Sequence, residues 1–159
     1  MIKVLFVCLG NICRSPMAEA IFRDLIRKEG LEKKISIDSA GIGHWHVGDL
    51  PHEGTREILN KYKISYEGMS ARQITERDWD DFDYLIAMDE KNVTDMEGIR
   101  KKEDVTVARL LDFIPEAEVK DVPDPFFTGN FEYVYELVSA GCRELLNKIK
   151  KDHQLSKEE

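Results

Sequence analysis

Apolar positions along this chain change period several times, and each change marks an element. Ile2-Lys3-Val4-Leu5-Phe6-Val7 is almost unbroken apolar, β-branched or aromatic. A run this short and this apolar reads as a strand buried on both faces, as in a parallel sheet covered by helices. From Met17 the spacing lengthens to three and four. Met17, Ala20, Ile21 and Leu25 share one face, while Arg23, Asp24, Arg27 and Lys28 take the other. Gly30 stops that helix, and Pro16 suits its first position, where a missing N–H costs nothing. Ile35-Ser36-Ile37-Asp38-Ser39 reads as a second strand closed by Ala40-Gly41, completing a right-handed βαβ unit.

The pattern is weaker beyond that unit. Gly43 to Pro51 is a loop rich in Gly and His, with Trp45 at its middle. Glu53 to Tyr62 has a modest helical period, and Thr75 is a candidate cap for a short helix. Tyr84 to Met88 is a third buried-type strand, Asp89 to Ile99 a helix, and Val105 to Leu111 contains a fourth strand. Asp112 to Asn130 has no period and holds Pro115, Pro123, Pro125 and Gly129. A loop that long in a compact domain has a job or is disordered. Phe131, Val134, Val138, Cys142, Leu145 and Ile149 then line one face of a helix ending at Lys150, and Lys151 to Glu159 is a polar tail expected to fray. The expectation is a single-domain α/β fold over residues 1–150: a four-stranded parallel sheet flanked by helices on both faces.

Composition narrows the function. The chain has 159 residues, 42% hydrophobic and 34% charged, enough for a real core. A net charge of −8 argues against nucleic acid or an anionic membrane as a partner. Any anion site must then be local, built from backbone amides and one or two cations. The acidic stretch Glu76 to Glu90 reads as a solvated surface. Three cysteines make no disulfide framework and point to a reducing compartment, so a cytoplasmic location is expected. No zinc spacing, cofactor motif, secretory leader or transmembrane run is evident.

The chemistry concentrates in Cys8-Leu9-Gly10-Asn11-Ile12-Cys13-Arg14-Ser15-Pro16, a loop between the first strand and the first helix. Ligands of such sheets bind at the carboxyl ends of strands, where this loop begins. A short loop folded into a nest turns successive N–H groups inward, and the following helix adds its positive end. Together they make a site for a tetrahedral oxyanion. Gly10 supplies conformational freedom, and Asn11 tolerates left-handed backbone and can tie the loop internally. Arg14 offers a two-pronged donor matched to phosphate oxygens. Thiols at helix N-termini beside cations titrate at roughly 3.5–7.5, so Cys8 is expected as a thiolate nucleophile. Ser15 can donate to that thiolate or cap the helix. Cys13 is either structural or a redox partner that forms a disulfide with Cys8, and Cys142 belongs to the core. Thiolate attack on a phosphoester expels an alkoxide or phenoxide that needs a proton. Asp124, flanked by Pro123 and Pro125, is the candidate acid. Phe126, Phe127 and Trp45 suit the walls of a slot for an aryl group.

The run Val7 to Ala20, together with Asp124-Pro125, resembles the low-molecular-weight protein tyrosine phosphatases. The resemblance extends through Asp38-Ser39-Ala40-Gly41, Ala71-Arg72-Gln73-Ile74-Thr75 and Asp83-Tyr84 to Met88-Asp89. It implies a metal-free, cofactor-free hydrolysis of phosphotyrosine, in a protein or as a small aryl phosphate, by a monomeric enzyme that releases inorganic phosphate. Cys8 would form a phosphocysteine. Arg14 and the amides of Leu9, Gly10, Asn11, Ile12, Cys13 and Ser15 would hold the oxygens, and Asp124 would serve first as acid and then as base. Asn11, Ser15 and Ser39 match the family's loop-bracing residues, and Ile12, Trp45, Phe126 and Phe127 its slot walls. Two positions depart from the family. Met69 stands where a bracing histidine is common, and Phe126 and Phe127 replace a frequent tyrosine pair.

Three other readings compete. Arsenate reductases of this fold need further cysteines, and the only distal one here is Cys142. Phosphoarginine phosphatases tend to have threonine where Ile12 stands. A non-catalytic phosphate-binding or redox-switch protein has no use for Cys8, Arg14 and Asp124 together.

Overall fold

The structure is a computed structural model in which residues 1–155 are described. Strands β1 (Ile2–Cys8), β2 (Ile35–Gly41), β3 (Tyr84–Ala87) and β4 (Thr106–Arg109) form one parallel sheet in the order β2-β1-β3-β4. The helices are α1 (Arg14–Lys28), α2 (Glu53–Lys61), α3 (Asp78–Asp81), α4 (Glu90–Glu97), α5 (Pro125–Thr128) and α6 (Phe131–Asp152), with a 3₁₀ turn at Leu110–Phe113.

The alternation of side chains along β1 separates two cores. Val4, Phe6 and Cys8 pack with Met17 and Phe22 of α1, Leu59 of α2 and Val138 and Cys142 of α6. Leu5 and Val7 face the other way, onto Trp79 of α3 and Met96 of α4. Residues Val4 to Val7 are fully buried, which is why the run carries no polar alternation. The parallel four-stranded sheet with helices on both faces is therefore present as expected.

Several details differ from the pattern-based expectation. Helix α1 begins at Arg14, so Pro16 is its third residue, still within the first turn where no intrahelical acceptor is lost. Thr75 caps nothing. Its own N–H donates to Asp78 Oδ2 at 2.8 Å, and α3 starts only at Asp78. Strand β2 runs on through Ala40 to Gly41. The aperiodic stretch after β4 contains both the 3₁₀ turn and α5, too short to show a period. Helix α6 continues through Lys151 and Asp152, His153 meets the Tyr84 hydroxyl at 3.0 Å, and Leu155 packs on the main core. The rest of the expected frayed tail, 156–159, lies outside the described residues. Among the described residues no helix is long and apolar enough to cross a membrane.

Candidate active site

The loop from Leu9 to Cys13 joins the carboxyl end of β1 to the first turn of α1. Its carbonyls are tied outward: Cys8 O accepts from Ile42 N, Leu9 O from Gly43 N, Ile12 O from His52 N, and Cys13 O from the Thr55 hydroxyl. Asn11 N donates to Cys8 Sγ at 3.3 Å. The amides of Leu9, Gly10, Ile12, Cys13, Arg14 and Ser15 find no acceptor among the described residues. A loop with carbonyls bound outside and amides free inside is a nest for an anion.

The left-handed residue of the loop is Asn11, at φ 59°, and not Gly10. Gly10 is needed for room instead: a Cβ there would lie 3.1 Å from the His46 ring. Gly41 has a similar task that sequence reading missed. A Cβ on it would lie 3.0 Å from the backbone of Gly10 and Asn11, so the loop rests directly on the end of β2.

Asn11 is 2% exposed and ties the loop together. Its Nδ2 donates to Ser15 Oγ at 2.8 Å and Ser39 Oγ at 2.9 Å, while its Oδ1 accepts from Arg72 N at 2.9 Å. Ser15 Oγ lies 3.0 Å from Cys8 Sγ, and α1 has no side-chain cap, so the choice left open for this hydroxyl goes to Cys8. Ser39 Oγ donates to Glu19 Oε1 at 2.6 Å. Met69 takes no part. It is buried in the main core, and the brace is completed by Glu19 and the Arg72 amide.

Arg14 is 2% exposed and lies under the site. Its Nη1 donates to Asp89 Oδ2 at 2.5 Å and to Val122 O at 2.9 Å, and its Nη2 to Asp124 Oδ2 at 3.3 Å. Its Nε–H is buried and has no partner among the described residues. Burial opposes its charge, but Cys8, Asp89 and Asp124 outweigh that and push its pKa up. Asp124 caps α5, accepting from Phe126 N at 3.1 Å, and is thereby aimed back at the loop.

A cavity of about 260 Å³ opens above the loop, lined by Cys8, Leu9, Gly10, Ile12, Cys13, Trp45, His46, Asp124, Phe126 and Phe127. Phe126 and Phe127 meet edge to face at 5.3 Å, and both are more than half exposed, as is Trp45. Every expected site residue except Ser39 thus lines the cavity or contacts one that does. Cys13 is buried against Ile12 and Ala71, and burial, with Cys8 and Asp124 adding, pushes its thiol up to about 12. It is a neutral thiol here. Cys142 lies fully buried in the core, its thiol pushed up by burial.

This nest, with a cysteine at its start, an arginine at its end and a distant aspartate across the cavity, agrees with what the chain matches. The family model described as low molecular weight phosphotyrosine protein phosphatase matches residues 3–155. The chain belongs to that family. It is 58% identical over 156 residues to the low molecular weight protein-tyrosine-phosphatase YfkJ of Bacillus subtilis, covering 98% of this chain and 100% of the relative. The crystal structure of YfkJ superposes with a TM-score of 0.94 over 96% of each chain. PtpA of Staphylococcus epidermidis is 48% identical over 155 residues, 98% of each chain. A more distant structural neighbour, the Drosophila arginine phosphatase DARP, is 33% identical with a TM-score of 0.86, covering 94% of this chain and 98% of its own.

Four residues that position the loop were not singled out from the sequence: Glu19, Gly41, Arg72 and Asp89. Glu19 stands one turn after Ser15 on the same helix, but its partner is Ser39 of β2, which nothing local in the sequence marks. Arg72 spans Asp38 at 2.9 Å and both oxygens of Asp78, at 2.9 and 3.1 Å, so its backbone N–H is held against Asn11. Asp89 follows β3 and caps α4, which leaves its second oxygen for Arg14.

Proposed function

We propose that this chain is a protein-tyrosine phosphatase that hydrolyses phosphotyrosine through a phosphocysteine at Cys8. The observation that carries the reading is the meeting of residues far apart in sequence. Cys8 and Asp124 line one cavity, and Asp124 contacts the buried Arg14 at 3.3 Å.

The loop amides left without acceptors and the unpartnered Arg14 Nε–H are the donors that bind the phosphoryl oxygens. Asp89 and the Val122 carbonyl hold the other guanidinium edge, so Arg14 needs no rearrangement when charge builds on those oxygens. Cys8 Sγ attacks phosphorus as the thiolate. The bond from phosphorus to the phenolic oxygen breaks with its electron pair, and protonated Asp124 gives that oxygen its proton. The Asp124 carboxylate then takes a proton from water, whose oxygen attacks phosphorus. The S–P bond breaks, the thiolate returns and inorganic phosphate leaves. Ser15, Asn11 and the Asn11 amide hold Cys8 for both steps.

Phe126, Phe127 and Trp45 rise above Cys8 and suit a flat ring standing over the phosphate. Ile12 adds apolar surface beside the nucleophile. The apolar slot favours an aryl ester over the short, polar reach of phosphoserine. The substrate is a phosphotyrosine-bearing protein or a small aryl phosphate. Three free, buried cysteines support a reducing, cytoplasmic setting, and the enzyme acts as a monomer. Cys13 is a reserve thiol able to close a disulfide on an oxidised Cys8.

Side-by-side turnover of phosphotyrosine, phosphoserine and phosphoarginine peptides tests this reading. We expect phosphotyrosine to dominate. Dominant phosphoarginine turnover would move the chain to the function of the Drosophila neighbour and contradict the proposal.

A further inference from the structure

The hydrogen-bond chain that reaches Cys8 has a direction, and its other end is a carboxylate. Arg72 N donates to Asn11 Oδ1, which fixes the end of the amide that carries the hydrogens. Asn11 Nδ2 therefore donates to both Ser39 Oγ and Ser15 Oγ. Ser39, having received one hydrogen, gives its own to Glu19 Oε1 at 2.6 Å. Ser15, having received one, is free to give its own to Cys8 Sγ at 3.0 Å. The donors run outward from the Asn11 amide to two anions, the Glu19 carboxylate at one end and the Cys8 thiolate at the other.

We propose that Glu19 is a positioning residue for catalysis: as the acceptor of the Ser39 hydroxyl it orders the Ser39–Asn11–Ser15 chain that presents a proton to Cys8. This rests on the reading of Cys8 as the nucleophile. Glu19 lies on α1 and is partly buried between that helix and β2. The charged groups facing it are Asp38 from β2, Arg23 from its own helix and Arg72 from the segment before α3. Arg23 is occupied by the carbonyls of Ser65 and Glu67, and Arg72 by Asp38 and Asp78. Neither gives Glu19 a direct ion pair. Burial pushes its carboxyl up to about 7; the Ser39 hydrogen bond opposes that, Asp38 adds to it, and Arg23 and Arg72 oppose it. The carboxylate thus gains or loses its proton within the working range of a cytoplasmic enzyme. Once protonated, it keeps a carbonyl acceptor for Ser39 but loses the charge that strengthens that hydrogen bond. The brace then weakens.

The test compares wild type, Glu19→Leu and Glu19→Gln on para-nitrophenyl phosphate from roughly pH 5 to pH 8.5, spanning both limbs of the profile. Thermal unfolding verifies that each variant is folded. Leucine keeps the volume and removes the acceptor. It is expected to lower kcat about 10- to 100-fold, the rate equivalent of one hydrogen bond to a charged group, with KM changed little. Glutamine keeps a neutral acceptor for Ser39 at every pH. Its kcat is expected to lie between those of wild type and leucine, without the fall expected of wild type as pH drops through about 7. Wild-type kcat and an unaltered pH profile in a folded Glu19→Leu overturn the inference, as does Glu19→Gln being no better than leucine. Equal turnover by wild type and Cys8→Ser overturns the reading of the site itself, and is recognisable because it precedes any effect of Glu19.

Discussion

Replacing Asn11 by alanine removes the hub of the loop, and its cost can be built from the structure. The side chain makes three hydrogen bonds: two from Nδ2, to Ser15 and Ser39, and one to Oδ1 from the Arg72 amide. Each contributes about 1 kcal/mol net, the usual value for a buried neutral bond. The backbone adds to this. At φ 59° Asn11 is in the left-handed region, which asparagine tolerates and alanine pays for with roughly 1 kcal/mol. The sum is about 4 kcal/mol, just below the 5–15 kcal/mol typical of whole-domain stability, so the variant folds but weakly. Melting should fall by roughly 8–16 °C for a domain of this size. Asn11→Gly separates the terms. It loses the same hydrogen bonds without the backbone strain and should recover about 1 kcal/mol. Urea unfolding at equilibrium measures both. A loss under about 1 kcal/mol for alanine would refute the assignment of Asn11 as a buried hub. Equal stability of the alanine and glycine variants would refute the strain at that position.

Two further outcomes follow from the same network. Glu19 binds its proton more tightly in the folded chain than its ordinary value of 4.5 allows, so its contribution to stability is full below pH 4.5 and is lost as pH rises to about 7. Glu19→Gln should therefore gain about 2–3 kcal/mol over wild type at pH 8 and nothing at pH 4, read by urea unfolding at the two pH values; equal gains at both would remove the linkage. Asp124→Asn should slow phosphotyrosine about 10²–10⁴-fold, the scale of general acid catalysis, and an aryl phosphate with a strongly acidic leaving group far less; equal losses would assign the proton to another group.

The parts of this protein that were legible in its sequence are those whose physics is local. Ile2 to Val7 declares a doubly buried strand because no polar residue faces outward except Lys3. The 8–16 loop declares itself because nucleophile, turn residues and arginine must be close in sequence to share one anion. Asp124 was readable only because two prolines mark a stiff turn at an otherwise aperiodic place. Glu19 and Asp89 were not readable. On a helix or after a strand, a lone carboxylate looks like any solvated acid, and only the fold shows one beneath Ser39 and the other against Arg14. Thr75 misled for a related reason: it has the chemistry of a cap, but the bond runs the other way, from its own N–H to the Asp78 carboxylate. Met69 was seen as a gap in the brace, yet what fills the gap came from α1, fifty residues away in sequence.

Glu19 also shows where function and stability part. Its ionised form costs folding energy at neutral pH, and that form is the one the brace uses. Such a cost persists where a site needs a residue that the fold alone would exchange.

The central claim is a covalent phosphoryl group on Cys8. Rapid acid quench of the enzyme with an aryl phosphate, followed by mass spectrometry of its peptides, tests it most directly. The account predicts a phosphoryl group on the peptide containing Cys8, richer in Asp124→Asn because hydrolysis of the intermediate also uses that aspartate, and absent in Cys8→Ser along with turnover. Turnover at the wild-type rate by folded Cys8→Ser, or a phosphoryl group on another residue, would contradict it.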